Sequence, residues 1–157
     1  RGMSTQQRHQ LIPASYLVLF REEDGEKEVL MVRRFQTGYE DGNYSLPAGH
    51  VEKRESFSRC LVREVKEEIN IDLAADACQV VHVMHRDAET EINDERMDIY
   101  WTTARWEGEI QNLEPHKCDD LSWFPLGNLP ENTIPYVRHA LDCIQKGVMY
   151  SEYGYSE

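Results

Sequence analysis

Between Gly49 and Asn70 the chain reads GHVEKRESFSRCLVREVKEEIN, and Glu64, Glu67 and Glu68 crowd into a five-residue span of it. On a helix of about 3.6 residues per turn, side chains three and four positions apart stand on one face, so these carboxylates would form a ridge. Like charges at that spacing weaken an isolated helix by roughly a few tenths of a kcal/mol per pair, and something must offset them. Hard divalent cations such as magnesium or manganese take oxygen ligands and bind carboxylates together with substrate phosphates. The chemistry such a ridge suits is metal-assisted attack on phosphorus. The plainer alternative is a solvated acidic face on which Arg59, Arg63 and Lys66 pair with the glutamates.

A ridge needs a helix beneath it. Phe57, Leu61, Val65 and Ile69 recur every four residues with Cys60 on the same side, which predicts a helix over 56–69. Ser56 suits its N-cap, and Asn70 tolerates the left-handed conformation that often ends a helix. Upstream, ASYLVLF (14–20) and VLMVRRF (29–35) flank an Asp-Gly turn signal and predict a hairpin. A punctuated loop follows, with a short extended piece at 44–46. Downstream, strands are expected over 79–85, 97–106 and 121–126. A second amphipathic helix carries Ile134, Val137, Ala140, Leu141 and Ile144 with Gly147 after its last turn, and YSEYGYSE is expected to be an extended tail. The mixed order indicates an α/β protein.

At 157 residues the chain is expected to form a single domain, 1–157, with its core over about 13–146 and Arg1-Gly2 ahead of Met3 as an expression remnant. The net charge of −12, from 17 basic and 29 acidic residues, speaks against a nucleic-acid polymer as partner. No apolar run approaches the roughly 20 residues that span a bilayer, so no membrane partner is expected. Cys60, Cys78, Cys118 and Cys143 form no CxxC pair, and a reducing, cytoplasmic setting is the expectation. A small anionic ligand stays within reach of so acidic a chain if a cation intervenes.

The spacing is more particular than a helix face requires. From Gly49, five residues lead to Glu55 and seven more to Arg63-Glu64; Val65, any residue, Glu67-Glu68, any residue, Asn70 and Ile71 follow. This resembles the signature of the Nudix hydrolases, with Asn70 where the family has glycine. RRF after a strand, LPAGH, RWEGE, and WFPL followed by LP are similar to the MutT-type branch. The resemblance implies an α/β/α sandwich with a mixed β-sheet. It also implies hydrolysis of a nucleoside diphosphate linked to another moiety, with Mg²⁺ or Mn²⁺ and water attacking phosphorus.

Carried over position by position, the resemblance makes Glu64, Glu67 and Glu68 the catalytic, metal-binding glutamates, with a backbone carbonyl of Ala48 or Gly49 as a further ligand. Glu114, five residues after Glu109, matches a fourth carboxylate from a distant loop; Glu91 and Glu95 are lesser contenders. Glu55 and Arg63 match a structural salt bridge that holds the ligands. For substrate, Arg34 and Arg96 match arginines that contact phosphate or base, and His50 stands where it could touch phosphate. Asn132 lies near a base-reading asparagine, and Asp119-Asp120 resembles an aspartate pair that reads purine faces. The expected substrate is a small-molecule nucleotide and the expected assembly a monomer or homodimer. The leading expectation is a MutT-like (d)NTP pyrophosphohydrolase releasing NMP and pyrophosphate, possible substrates including oxidised purine nucleotides. The alternatives are an ADP-sugar, dinucleotide or CDP-alcohol pyrophosphatase, or a nucleotide-binding regulatory module without catalysis.

Overall fold

A computed structural model describes residues 8–90 and 94–156; Arg1-Gly2, Met3 and Glu91 lie outside the described residues. Its strands are β1 (Ile12–Leu17), β2 (Phe20–Glu23), β3 (Glu26–Arg34), β4 (Tyr44–Ser45), β5 (Ala48–His50), β6 (Gln79–Arg86), β7 (Arg96–Thr102), β8 (Cys118–Pro125) and β9 (Tyr150–Tyr153). The helices are α1 (Phe57–Ile69) and α2 (Pro135–Gln145), with a single 3-10 turn at Ala75–Ala77 among the described residues.

The Asp-Gly turn forms, but the strand it joins to β3 is β2 and not the whole apolar run from Ala14. Asp24 and Gly25 both take positive φ, 52° and 78°, the backbone of the tight turn that suits a twisted hairpin. Val18 and Leu19, each fully buried, carry the chain from one sheet to the other. A continuous apolar run has no alternation to mark such a break. β3 then pairs with β2 and β4 at opposite ends of one edge and with β8 along the other.

The second sheet runs β5-β1-β7-β6-β9, with β1/β7 and β6/β9 parallel and the other neighbours antiparallel. Strand side chains alternate between faces, and each face of β1 meets a different helix. Leu17 joins Leu61, Val65 and Ile69 of α1, while Ala14 and Tyr16 join Met84, Tyr100 and the α2 residues Val137, Ala140 and Leu141. The result is an α/β/α sandwich around a mixed sheet. Full burial of each Leu, Ile or Val contributes on the order of 1.5–3 kcal/mol, which is what clamps both helices to the sheet. Ser15 adds a directional tie: its Oγ donates to the Phe57 carbonyl at 2.7 Å and fixes the start of α1.

The end of the chain departs from the expected tail. Tyr150–Tyr153 adds β9 to the sheet edge, and His82, fully buried, holds it with Nδ1 2.8 Å from the Val148 carbonyl and Nε2 2.7 Å from Ser151 Oγ. β7 stops at Thr102, short of Trp106, where the chain bends and Thr103 Oγ1 donates to the Arg105 carbonyl. β8 begins earlier than expected, at Cys118. The four cysteines are free thiols, and among the described residues no helix is long and apolar enough to cross a membrane.

Candidate active site

The carboxylate ridge is real and held at both ends. Ser56 Oγ accepts the Arg59 N–H at 3.2 Å, and Asn70 closes α1 at φ 70° with its own N–H on the Lys66 carbonyl. The last carbonyls of a helix lack intrahelical partners. Here a loop supplies them: the N–H groups of Leu113 and Gln111 donate to Glu68 and Ile69 at 2.9 and 3.0 Å. Asn70 Nδ2 reaches the same loop at the Glu109 carbonyl, 3.1 Å away, a bond that glycine could not make. Backbone docking therefore brings Glu114 beside the helix that carries Glu64 and Glu68.

Gly49 lies against this helix in β5. A Cβ there would stand 2.0 Å from Glu64 Cδ, so the close approach of strand to carboxylate requires glycine. Arg63 organises the other side of the ridge. Its Nε and Nη2 donate to the two oxygens of Glu55 at 2.7 and 2.9 Å, and its Nη1 donates to Glu64 at 2.7 Å. A forked guanidinium–carboxylate pair is among the stronger ionic contacts. It holds the Glu55 carboxyl down to about 2. The expected Glu55–Arg63 bridge is thus present as drawn from the sequence.

The remaining carboxylates are strained in the opposite sense. Burial raises Glu64 despite Arg63, and Glu67 and Glu114 raise it further. Burial also pushes Glu68 well above the ordinary carboxylate range, Glu64 and Glu114 add repulsion, and the Ala48 N–H at 3.1 Å offsets only part of this. A hard divalent cation suits this donor set, which is rich in oxygen and short of positive charge. Among the described residues no three Asp, Glu, His or Cys side chains already converge at ligating positions, and Arg63 holds Glu64 and Glu67 to its own side. Closing on a cation therefore requires side-chain rotation.

Glu64, Glu67, Glu68 and Glu114 border a cleft of about 620 Å³ that Gly49, His50, Arg34 and Arg96 also line. Arg96 Nη1 sits 3.0 Å from His50 Nε2. Guanidinium cannot accept, so Nε2 is the acceptor, and His50 is neutral with its proton on Nδ1. Burial and the charges of Arg96, Arg86 and Arg34 lower its affinity for a second proton. Arg34 meanwhile donates to the Tyr39 carbonyl at 2.7 Å and to Thr37 Oγ1 at 3.1 Å, ordering the loop at the cleft mouth.

Other sequence candidates stand elsewhere. Asp119, Asp120, Asn132 and Glu95 are absent from the cleft lining. Asp119 accepts from Arg33 Nε at 2.7 Å. Asp120, opposite Arg33 in the β3/β8 register, accepts from the Tyr44 hydroxyl and from Ser122 Oγ. Asn132 Nδ2 donates to the Gly42 carbonyl at 2.7 Å. Glu95 meets His9, His85 and Tyr155. Conversely, Tyr16, Tyr39, Arg86, Lys117 and Tyr136 line the cleft without having been singled out by the sequence. They come from separate elements, and only the sheet register and the seat of α2 bring them together.

The NUDIX domain family profile matches residues 11–142. The NAD-capped RNA hydrolase NudC of Pseudomonas entomophila (strain L48) is 33% identical over 121 residues, which make up 76% of this chain and 38% of that protein. The chain thus spans well under half the length of that curated relative. Among solved structures, the MutT NUDIX hydrolase of Burkholderia pseudomallei superposes with a TM-score of 0.74 at 26% identity, covering 85% of this chain and 97% of that one. The NUDIX domain of Shewanella oneidensis NrtR complexed with ADP ribose gives a TM-score of 0.67 at 17% identity, over 87% and 86% of the two chains, and shares the fold.

Proposed function

Because the chain belongs to the Nudix family of hydrolases, we propose that it is a Mg²⁺- or Mn²⁺-dependent pyrophosphohydrolase whose small-molecule substrate is a nucleoside diphosphate linked to a further group. Nucleoside triphosphates, cleaved to a monophosphate and pyrophosphate, are the first such substrate class. The observation that carries this reading is Glu68 on the cleft wall, with Glu64 and Glu114 close enough to raise it and only the Ala48 N–H to oppose them. Glu64, Glu67, Glu68 and Glu114 would hold the cation, with a carbonyl of Ala48 or Gly49. When bound, the ion neutralises charge between carboxylates and phosphates and polarises a phosphoryl oxygen.

The protein's own groups do the rest. Arg63 braces Glu64 through Glu55. The loop docked on α1 sets the position of Glu114, which borders the cleft opposite the arginines and is placed to accept a proton from attacking water. Arg96, through His50, and Arg34 offer donors to phosphate oxygens. A second reading, hydrolysis of a dinucleotide, is favoured by the 33% identity to a protein named for action on NAD-capped RNA. The absence of a CxxC pair and the free thiols support a cytoplasmic setting.

Incubation with a panel of nucleoside triphosphates, ADP-ribose, NAD and CDP-choline, with and without Mg²⁺, tests both readings. Metal-dependent release of pyrophosphate supports the first, and release of two monophosphates from NAD supports the second. No turnover of any diphosphate compound in the presence of metal would sink both.

A further inference from the structure

One end of the cleft has nothing to do with the carboxylate ridge. There Arg86, only 3% exposed, lies with its Cζ 3.6 Å over the Tyr136 ring, and its Nε donates to fully buried Asp98 at 2.6 Å. Its Nη1 meets Glu89 at 3.4 Å, and the Tyr39 hydroxyl donates to Glu89 at 3.0 Å and to the Tyr136 hydroxyl at 3.4 Å. Tyr16, Tyr39, Arg86 and Tyr136 all line the cleft. Beneath them, Asp98 Oδ1 and the Tyr100 hydroxyl are buried without a hydrogen-bond partner among the described residues.

Stability alone does not call for this arrangement. A buried ion pair often does no better than well-packed apolar side chains, and each unsatisfied buried polar atom is a further penalty. Polar burial of this kind at the inner end of a ligand cleft is the mark of a recognition surface.

Its chemistry narrows the ligand. The charge of Arg86 is already met by Asp98 and approached by Glu89, so an additional phosphate or carboxylate entering here would face those two acids. What remains is a flat aromatic wall and a guanidinium fixed in orientation, and guanidinium can only donate. Tyrosine rings suit a planar partner, and an immobilised donor suits a neutral carbonyl on its edge.

We propose that this chamber holds the planar heterocycle of the substrate, with Tyr39 and Tyr136 as its walls and Arg86, kept in place by Asp98, donating to a ring carbonyl. The assignment names the substrate group at the end of the cleft remote from the carboxylates. It rests on the hydrolase reading only for where the phosphates lie.

Two measurements test it. In Mg²⁺, kcat/KM is compared for inosine triphosphate, adenosine triphosphate and tripolyphosphate, which carries no base. Without metal, binding of inosine 5′-monophosphate and of ribose 5-phosphate is compared by calorimetry, which does not depend on turnover. The wild-type protein is expected to prefer the carbonyl-bearing inosine compound over adenosine, and any heterocycle over none, by about tenfold or more, the scale of a single stacked and hydrogen-bonded base. Tyr39→Leu is expected to move the heterocycle-to-tripolyphosphate ratio toward one through KM, and to weaken inosine 5′-monophosphate toward the ribose 5-phosphate level. Tyr39 stands at the partly exposed edge of the chamber, so this variant leaves the Arg86–Asp98 pair intact.

Equal turnover of tripolyphosphate and nucleotides, with equal metal-free binding of the two monophosphates, overturns the chamber while leaving the hydrolase reading standing. Selective binding of inosine 5′-monophosphate, lost in Tyr39→Leu, upholds the chamber even if no diphosphate compound is cleaved.

Discussion

Glu68 and Glu55 lie on the same site and are pulled in opposite directions. Burial and two neighbouring carboxylates disfavour charge on Glu68, whereas Arg63 secures it on Glu55. Replacing Glu68 with glutamine should lower Mg²⁺-dependent kcat by about a thousandfold, the scale of several kcal/mol of lost charge stabilisation. The same change should raise the melting temperature of the metal-free protein and shrink the further rise that Mg²⁺ produces; near-normal turnover would remove Glu68 from the metal site. Glu55 gives a pH prediction of definite sign. Its folded pKa, about 2, lies below the ordinary value near 4.3, so its contribution is complete above about pH 4.3 and is lost as pH falls toward 2. Urea midpoints measured between pH 5 and 2.5 should fall less steeply in Arg63→Gln than in the wild type, because the partner that depresses Glu55 is gone. These acids were legible from spacing alone. Asp119 and Asp120 were not, because their partners Arg33 and Tyr44 are fixed by strand register, which sequence spacing does not reveal.

At the scale of elements, α1 was readable because its period, N-cap and closing asparagine agree, and it runs over Phe57–Ile69 as the pattern requires. The hairpin was misplaced by an apolar run that belongs to two sheets, and β9 was taken for a tail because its alternation is short and polar. Asn70 connects helix to loop. Asn70→Gly keeps the left-handed backbone and loses only the bond to the Glu109 carbonyl, so the melting temperature should change little while kcat falls severalfold through a looser Glu114. Asn70→Ala loses the same bond and also strains the positive φ, at about 1 kcal/mol more by urea denaturation. Equal kcat in Asn70→Gly and wild type would show that the side-chain bond is irrelevant to the loop.

Over the whole molecule, an excess of 12 negative charges surrounds a cleft meant for polyphosphate, and that imbalance makes a divalent cation the natural intermediary. The sandwich itself depends on its last strand. Removing residues 148–157 strips His82 of both its hydrogen-bonding partners and uncovers an edge of the sheet. Such a truncation should destabilise the protein by several kcal/mol in urea denaturation, from two lost buried hydrogen bonds and the exposed edge together. An unchanged midpoint would mean that β9 is only an ornament on the edge.

The loop that delivers Glu114 grips α1 through peptide N–H groups at positions 111 and 113, with no side chain at either place taking part in those bonds. Natural variation at Gln111 and Leu113 can therefore run wide without displacing the carboxylate, while proline, lacking the amide proton, is shut out of both. Related chains could change the colour and charge of that stretch from species to species and still present the same acid to the same place.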